Sequence, residues 1–291
     1  MAVLLIGTLD TKGTEVAYVR DLLREAGLAV VVMDTGSRGA PALAADIPRE
    51  AVFRAAGTNL EAVGQDRGQA VEAAARGAAR LAAQWHARGE VEGVLGLGGS
   101  AGTTIGTAAM RALPFGLPKI MVSTLASGQV RPYVGVRDIF MLNSVVDISG
   151  LNRISRTVLA NAARAMIGMV SQKTPSVLGP QRAGASADVR GLTPSDRLPL
   201  ITATMFGVTT PCVETARRIL EGEGFEVLVF HATGVGGMTM ESFISDGMVQ
   251  GVLDITTTEL ADELVGGILT AGRDRLTAAA MRGVPQVISV G

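Results

Sequence analysis

Short segments that are apolar at every position recur along this chain, and each runs into a glycine- and threonine-rich turn followed by a helical pattern. Val3–Ile6 leads into Gly7-Thr8-Leu9-Asp10-Thr11-Lys12-Gly13-Thr14, and Leu28–Met33 into Asp34-Thr35-Gly36-Ser37-Arg38-Gly39. Val91–Leu97 leads into Gly98-Gly99-Ser100-Ala101-Gly102-Thr103. A strand with one wet face alternates apolar and polar residues, whereas an unbroken apolar run belongs to a parallel sheet covered on both faces. Between the first two runs, Val16, Val19, Leu22 and Leu23 recur at helical spacing, so a helix is predicted over about Glu15–Ala26, with Gly27 ending it. An alanine-rich helix ends near Arg88, Pro118–Thr124 reads as a fourth strand and Ile139–Asp147 as a further one. Asn152 is placed to cap a helix that runs to about Gln172.

The pattern then starts again. Ile6–Thr11 matches Phe206–Thr210, Arg20–Gly27 matches Arg217–Gly224, and Thr35–Gly39 matches Thr233–Gly237. Glu92–Leu95 matches Gln250–Leu253 and Leu117–Ile120 matches Val284–Val287, all in the same order. The expected architecture is therefore α/β: two Rossmann-like three-layer units with mainly parallel sheets, related by an internal repeat. The first spans 1–172, an aperiodic Pro/Gly/Ser/Arg-rich linker spans 173–197, and the second spans 198–291. Gly291 aligns with about Thr124, so the second unit is expected to be C-terminally incomplete beside the first.

Composition removes several classes of function. The 291 residues carry a net charge of −1, and only 3% are aromatic, which disfavours direct nucleic-acid binding by a basic surface or by base stacking. One cysteine excludes an internal disulfide and a multi-thiolate metal site. No apolar run is long enough to span a bilayer, and the amino terminus lacks a signal-peptide pattern. The expectation is a soluble, cytoplasmic chain with no membrane partner.

Ligands of open parallel sheets sit at the carboxyl ends of the strands, where helix N-termini favour anions. The first turn offers Thr8, Asp10, Thr11, Lys12 and Gly13 there: Lys12 to reach a phosphate, Asp10 a ribose hydroxyl or a hydrated magnesium. Lys12-Gly13-Thr14 inverts the Gly-Lys-Ser/Thr of a Walker loop, so this is not a P-loop, and a capped turn with a solvated lysine is the plain alternative. Gly96-Leu97-Gly98-Gly99-Ser100-Ala101 fits a dinucleotide fingerprint, but it ends a third strand rather than a first. Phosphate cradling by Gly98 and Gly99, with hydrogen bonds from Ser100 and Thr103, is favoured over NAD binding. Thr35, Gly36 and Arg38 would complete one polyphosphate pocket, with Arg38 as a bidentate cation or merely a surface residue.

In the second unit Gly234-Val235-Gly236-Gly237 is a glycine nest suited to a small anionic or hydroxylated ligand. Cys212, at a helix start, and His231, at the end of the adjacent strand, are weak catalytic candidates alongside Asp10; a small buried role is the better reading of Cys212. His86, beside Trp85, reads as structural. No spacing resembles a metal cage, although Asp10, Asp147 and Asp254 can hold Mg²⁺ through a phosphate.

Six stretches in order, Gly7–Glu15, Met33–Gly39, Gly96–Thr104, Ser144–Ser155, Met205–Val213 and His231–Glu241, closely resemble a bacterial, fungal and plant family. Its best-known member is the nucleotide-binding N-terminal region of the tomato mosaic virus resistance protein, an inhibitor of viral RNA replication. The resemblance implies two Rossmann-like domains, ATP as the ligand, with Mg, and homodimerisation. The leading expectation is an ATP-binding protein whose first unit holds the polyphosphate. The rival readings are a metabolic enzyme acting on a small acid or phosphorylated substrate between the units, and a nucleotide-regulated scaffold for a protein partner. No residue set names a reaction.

Overall fold

The computed structural model describes residues 1–63, 66–171 and 198–290, so the segment read as a linker lies outside the described residues. The chain divides into two compact units, Met1–Lys173 and Thr174–Gly291, each an α/β arrangement of helices interleaved with a parallel sheet.

In unit 1 the strands are β1 (Ala2–Gly7), β2 (Val30–Asp34), β3 (Val91–Gly98), β4 (Lys119–Ser123) and β5 (Phe140–Asn143). They pair in the order β2-β1-β3-β4-β5, every pairing parallel. The helices are α1 (Leu9–Glu25), α2 (Arg49–Ala55), α3 (Leu60–Val63), α4 (Arg67–Ala87), α5 (Ser100–Arg111), α6 (Arg131–Val134) and α7 (Arg153–Ser171). Alternate residues of a strand point to opposite faces, and the core splits accordingly. Leu4, Ile6, Met33, Val94 and Met121 pack against α2, α4 and α5, whereas Val3, Leu5, Val32, Leu95 and Ile120 pack against α1 and α7. The unbroken apolar runs are thus explained: both faces of the sheet are covered. Gly77 of α4 lets that helix touch α2, since a Cβ there would lie 1.9 Å from the Val52 carbonyl oxygen.

Three expectations shift. Helix α1 begins at Leu9 rather than near Glu15, with one non-helical residue at Lys12 (φ −127°), because the Leu9 amide is capped by Asp34 of β2. Ile139–Asp147 yields only β5, since Val145 turns to φ 65°. The polar stretch before α4 holds α2 and α3, and Asp66 caps α4 through the amides of Gly68 and Gln69.

Unit 2 contains β6 (Leu200–Met205), β7 (Glu226–His231), β8 (Gly251–Asp254) and β9 (Gln286–Ile288), parallel and ordered β7-β6-β8-β9. Its helices are α8 (Thr210–Gly222), α9 (Val235–Ser245), α10 (Thr258–Val265) and α11 (Ala278–Arg282). These strands take the same order as β2-β1-β3-β4 of unit 1. Among the described residues, no helix is long and apolar enough to cross a membrane.

Candidate functional site

In a sheet ordered 2-1-3-4-5, connections from β1 and β3 leave in opposite directions, opening a crevice at the carboxyl ends of those strands. A cavity of about 480 Å³ lies there in unit 1. Its walls are the start of α1 (Thr8, Asp10, Thr11, Lys12), the turn after β2 (Thr35, Ser37, Arg38) and the start of α5 (Gly99 to Gly102). Thr124, Asp147, Arg67 and the apolar Ala70, Val71 and Ile105 complete it.

The start of α5 carries no side-chain cap. Gly99 is its N-cap and supplies no side-chain acceptor, so the first-turn amides gain no cap from their own sequence. A Cβ on Gly99 would meet only the Thr124 hydroxyl, at 3.7 Å. Gly98 serves a different purpose: a Cβ there would lie 2.7 Å from the Gly102 Cα, so its lack of a side chain lets β3 and α5 approach closely. Thr35 is buried, lines the cavity, and its hydroxyl has no partner among the described residues.

The structure assigns other sequence-selected residues elsewhere. Thr103 is fully buried and shares a 2.6 Å hydrogen bond with the Ser123 hydroxyl, so it packs β4 against α5 instead of facing the cavity. Gly13 abuts Ala42, where a Cβ would come within 2.8 Å of that residue's own Cβ. Gly36 abuts Asp10. Asp10 lines the cavity, yet its Oδ2 already accepts the Ser37 and Arg38 amides at 3.1 and 2.9 Å, clamping the β2 turn onto α1.

Sequence reasoning gives no role to Asp34. Its Oδ1 accepts the amides of Leu9 (3.0 Å) and Gly36 (2.8 Å), and its Oδ2 pairs with Arg49 at 2.9 Å. Leu9 and Arg49 lie 25 and 15 positions away from it, and no local pattern signals those two partners. Arg67, Ala70, Val71 and Thr124 were missed for the same reason: α4 and the end of β4 reach the crevice only through the fold.

In unit 2 the glycine nest is filled from within. The Glu259 carboxylate, fully buried, accepts the Gly234 and Gly237 amides at 2.7 and 3.0 Å, taking the place a small anion would occupy. Glu259 also pairs with Arg275, which binds Asp254 in a two-bond fork and contacts Glu241. Asp254 is therefore committed to a buried ion-pair network, which corrects its reading as a magnesium ligand. Arg275 is held protonated above the ordinary arginine range by Asp254 and Glu259, which outweigh the opposing effect of burial. Cys212 is exposed at the start of α8, which overturns its reading as a small buried residue, and the His231 ring packs edge-on against Phe206 with centroids 6.3 Å apart. His86 Nδ1 is buried without a partner among the described residues, and burial together with nearby Lys119 pushes its pKa below the usual value, in keeping with a packing role on α4. Among the described residues, no cluster of three His, Cys, Asp or Glu side chains can hold a metal ion.

Fold and crevice define an α/β protein of two parallel sheets with a polar, cation-rimmed cleft at the strand ends of the first. Residues 1–175 match the N-terminal domain, and 198–291 the C-terminal domain, of the Uncharacterised protein family UPF0261. The chain belongs to this family. It is 47% identical to a UPF0261 protein of Clostridium tetani over 99% of this chain and 68% of that one. It is 46% identical to one of Mesorhizobium japonicum over 98% of this chain and 67% of that one. The ToMV susceptible protein tm-1 of Solanum lycopersicum is 38% identical over 98% of this chain, which spans 39% of the tomato protein.

Proposed function

We propose that unit 1 is a Rossmann-like nucleotide-binding unit, with ATP and Mg²⁺ as its ligand, and that the phosphates lie at the start of α5. The observation that carries this reading is the α5 N-terminus, which has no side-chain cap and opens into a cavity also lined by Lys12, Arg38 and Arg67. Backbone amides and the helix dipole favour an anion at such an end. The volume of about 480 Å³ falls within the range of small-molecule sites. Ala70, Val71 and Ile105 offer an apolar wall suited to a base, and the unpartnered Thr35 hydroxyl supplies a further polar contact. Asp147 lines the same cavity and is the carboxylate placed to take magnesium through the phosphates. The shared strand order of the two sheets supports descent of both units from one repeated unit.

Isothermal titration of the chain with MgATP tests the reading. Saturable binding is expected, weakened about 10- to 100-fold in Lys12→Ala by loss of a charge-assisted contact worth about 1.5–3 kcal/mol. No binding, or identical affinity in Lys12→Ala and Arg38→Ala, defeats it.

A further inference from the structure

We propose that unit 1 carries a second ligand site, a pocket for a small monocarboxylate whose buried cation is Arg49. This inference stands apart from the nucleotide reading. Arg49, the first residue of α2, is 6% exposed. Its Nε donates to Asp34 Oδ2 at 2.9 Å and its Nη1 to the Gly39 carbonyl at 2.8 Å. Its Nη2 is buried and has no acceptor among the described residues. Asp34 cannot supply one, because its other oxygen already holds two amides. A buried donor without a partner costs about 1–3 kcal/mol, and such groups are rare in folded proteins.

Arg49 lines a cavity of about 310 Å³, distinct from the larger crevice, with which it shares the lining residue Arg38. Pro41, Ala45 and Leu60 give it apolar walls, and Asp34 and Glu50 are its two acidic residues. The size is at the lower end for ligand cavities, right for an acid of a few carbons and too small for a nucleotide. With Nε on Asp34 and Nη1 on Gly39, Nη2 is the guanidinium donor left for a carboxylate oxygen. Asp34 and Glu50 offset the two arginines, so a monoanion with a short apolar body matches the pocket better than a phosphate dianion does.

The test uses the full chain with ¹⁵N-labelled arginine side chains, titrated with sodium propionate at constant ionic strength against sodium chloride. A saturable shift of the Arg49 Nε–H resonance is expected with propionate and not with chloride. Ala40→Trp, a change at an exposed wall residue that leaves Arg49 untouched, should raise the propionate dissociation constant about tenfold or more. Arg49→Lys should abolish the saturable effect while keeping the charge. Absence of saturation, equal affinity in Ala40→Trp, or tighter binding of inorganic phosphate than of propionate would overturn the proposal. A MgATP titration of Ala40→Trp, expected to match wild type, keeps this outcome distinct from failure of the nucleotide site.

Discussion

Asp34 holds together more of the crevice than any other side chain. One carboxylate, 1% exposed, caps the first amide of α1, fixes the Gly36 turn and neutralises buried Arg49. Removing it as Asp34→Ala leaves a buried guanidinium without its counter-ion and two buried amides without their acceptor. Breaking a buried pair in this way costs about 3–5 kcal/mol, which should appear as a lower urea midpoint with an unchanged slope. A loss below about 1 kcal/mol would show that water replaces the carboxylate and that the pair is not the clamp. The chain's own residues explain why Asp10 stood out in the sequence and Asp34 did not. Asp10 lies in a turn dense with hydroxyls and a lysine, whereas Asp34 merely ends an apolar strand, and its partners Leu9 and Arg49 become neighbours only after β1 and β2 pair.

At the scale of elements, the apolar runs located the strands well because burial on both faces leaves a signal in every residue. Val91–Leu97 and Pro118–Thr124 differ from β3 and β4 by a residue at each end or less. The start of α1 was not legible, since its cap comes from another strand, and β5 was overestimated because Val145 adopts a left-handed turn that apolar character does not announce. The glycine pair after β3 reads in sequence as one phosphate-cradling loop, yet its members serve separate ends. Gly98 permits contact between backbone of β3 and backbone of α5, while Gly99 leaves the helix end open. Gly98→Ala should therefore force α5 outward, lowering stability by about 1–3 kcal/mol in thermal denaturation and weakening any anion held at the α5 start. Gly99→Ala, whose Cβ would make only an ordinary contact with the Thr124 hydroxyl, should cost no more than about 1 kcal/mol, the usual loss of a poorer N-cap. Equal melting of the two variants would mean that the close approach of β3 and α5 is not required.

Over the whole molecule, two units with the same order of strands differ in how much core each encloses. Unit 1 buries both faces of its sheet in two large clusters, one of them including Phe53, Met110 and Met121, the other Leu9, Leu23 and Met166. In unit 2 one buried cluster is Ala203, Val213 and Val227, joined by partly buried neighbours such as Ile201 and Leu253, and Met240, Ile244, Val252 and Ala279 are buried as well. Large apolar side chains of unit 2 remain in water: Leu264 is 86% exposed, Ile268 96% and Val290 93%, and β9 at the sheet edge leaves Val287 60% exposed. The buried Arg275 network does not make up the difference, because desolvating ions offsets most of what their attraction returns. Local opening follows buried apolar contact, so the central strands of the two units should differ in protection although both are hydrogen-bonded on each side. Native-state hydrogen exchange read by mass spectrometry should show amides of β6 and β8 exchanging at least about tenfold faster than those of β1 and β3, a gap of about 1.4 kcal/mol or more. The residues that should slow first under added denaturant-free stabilisers are then those of unit 2, since they start nearest to open. Equal protection of β6 and β3 would show that the buried residues of unit 2, with the ion-pair network and the filled glycine nest, hold its sheet as firmly as the two clusters hold that of unit 1, and the two cores would rank equally.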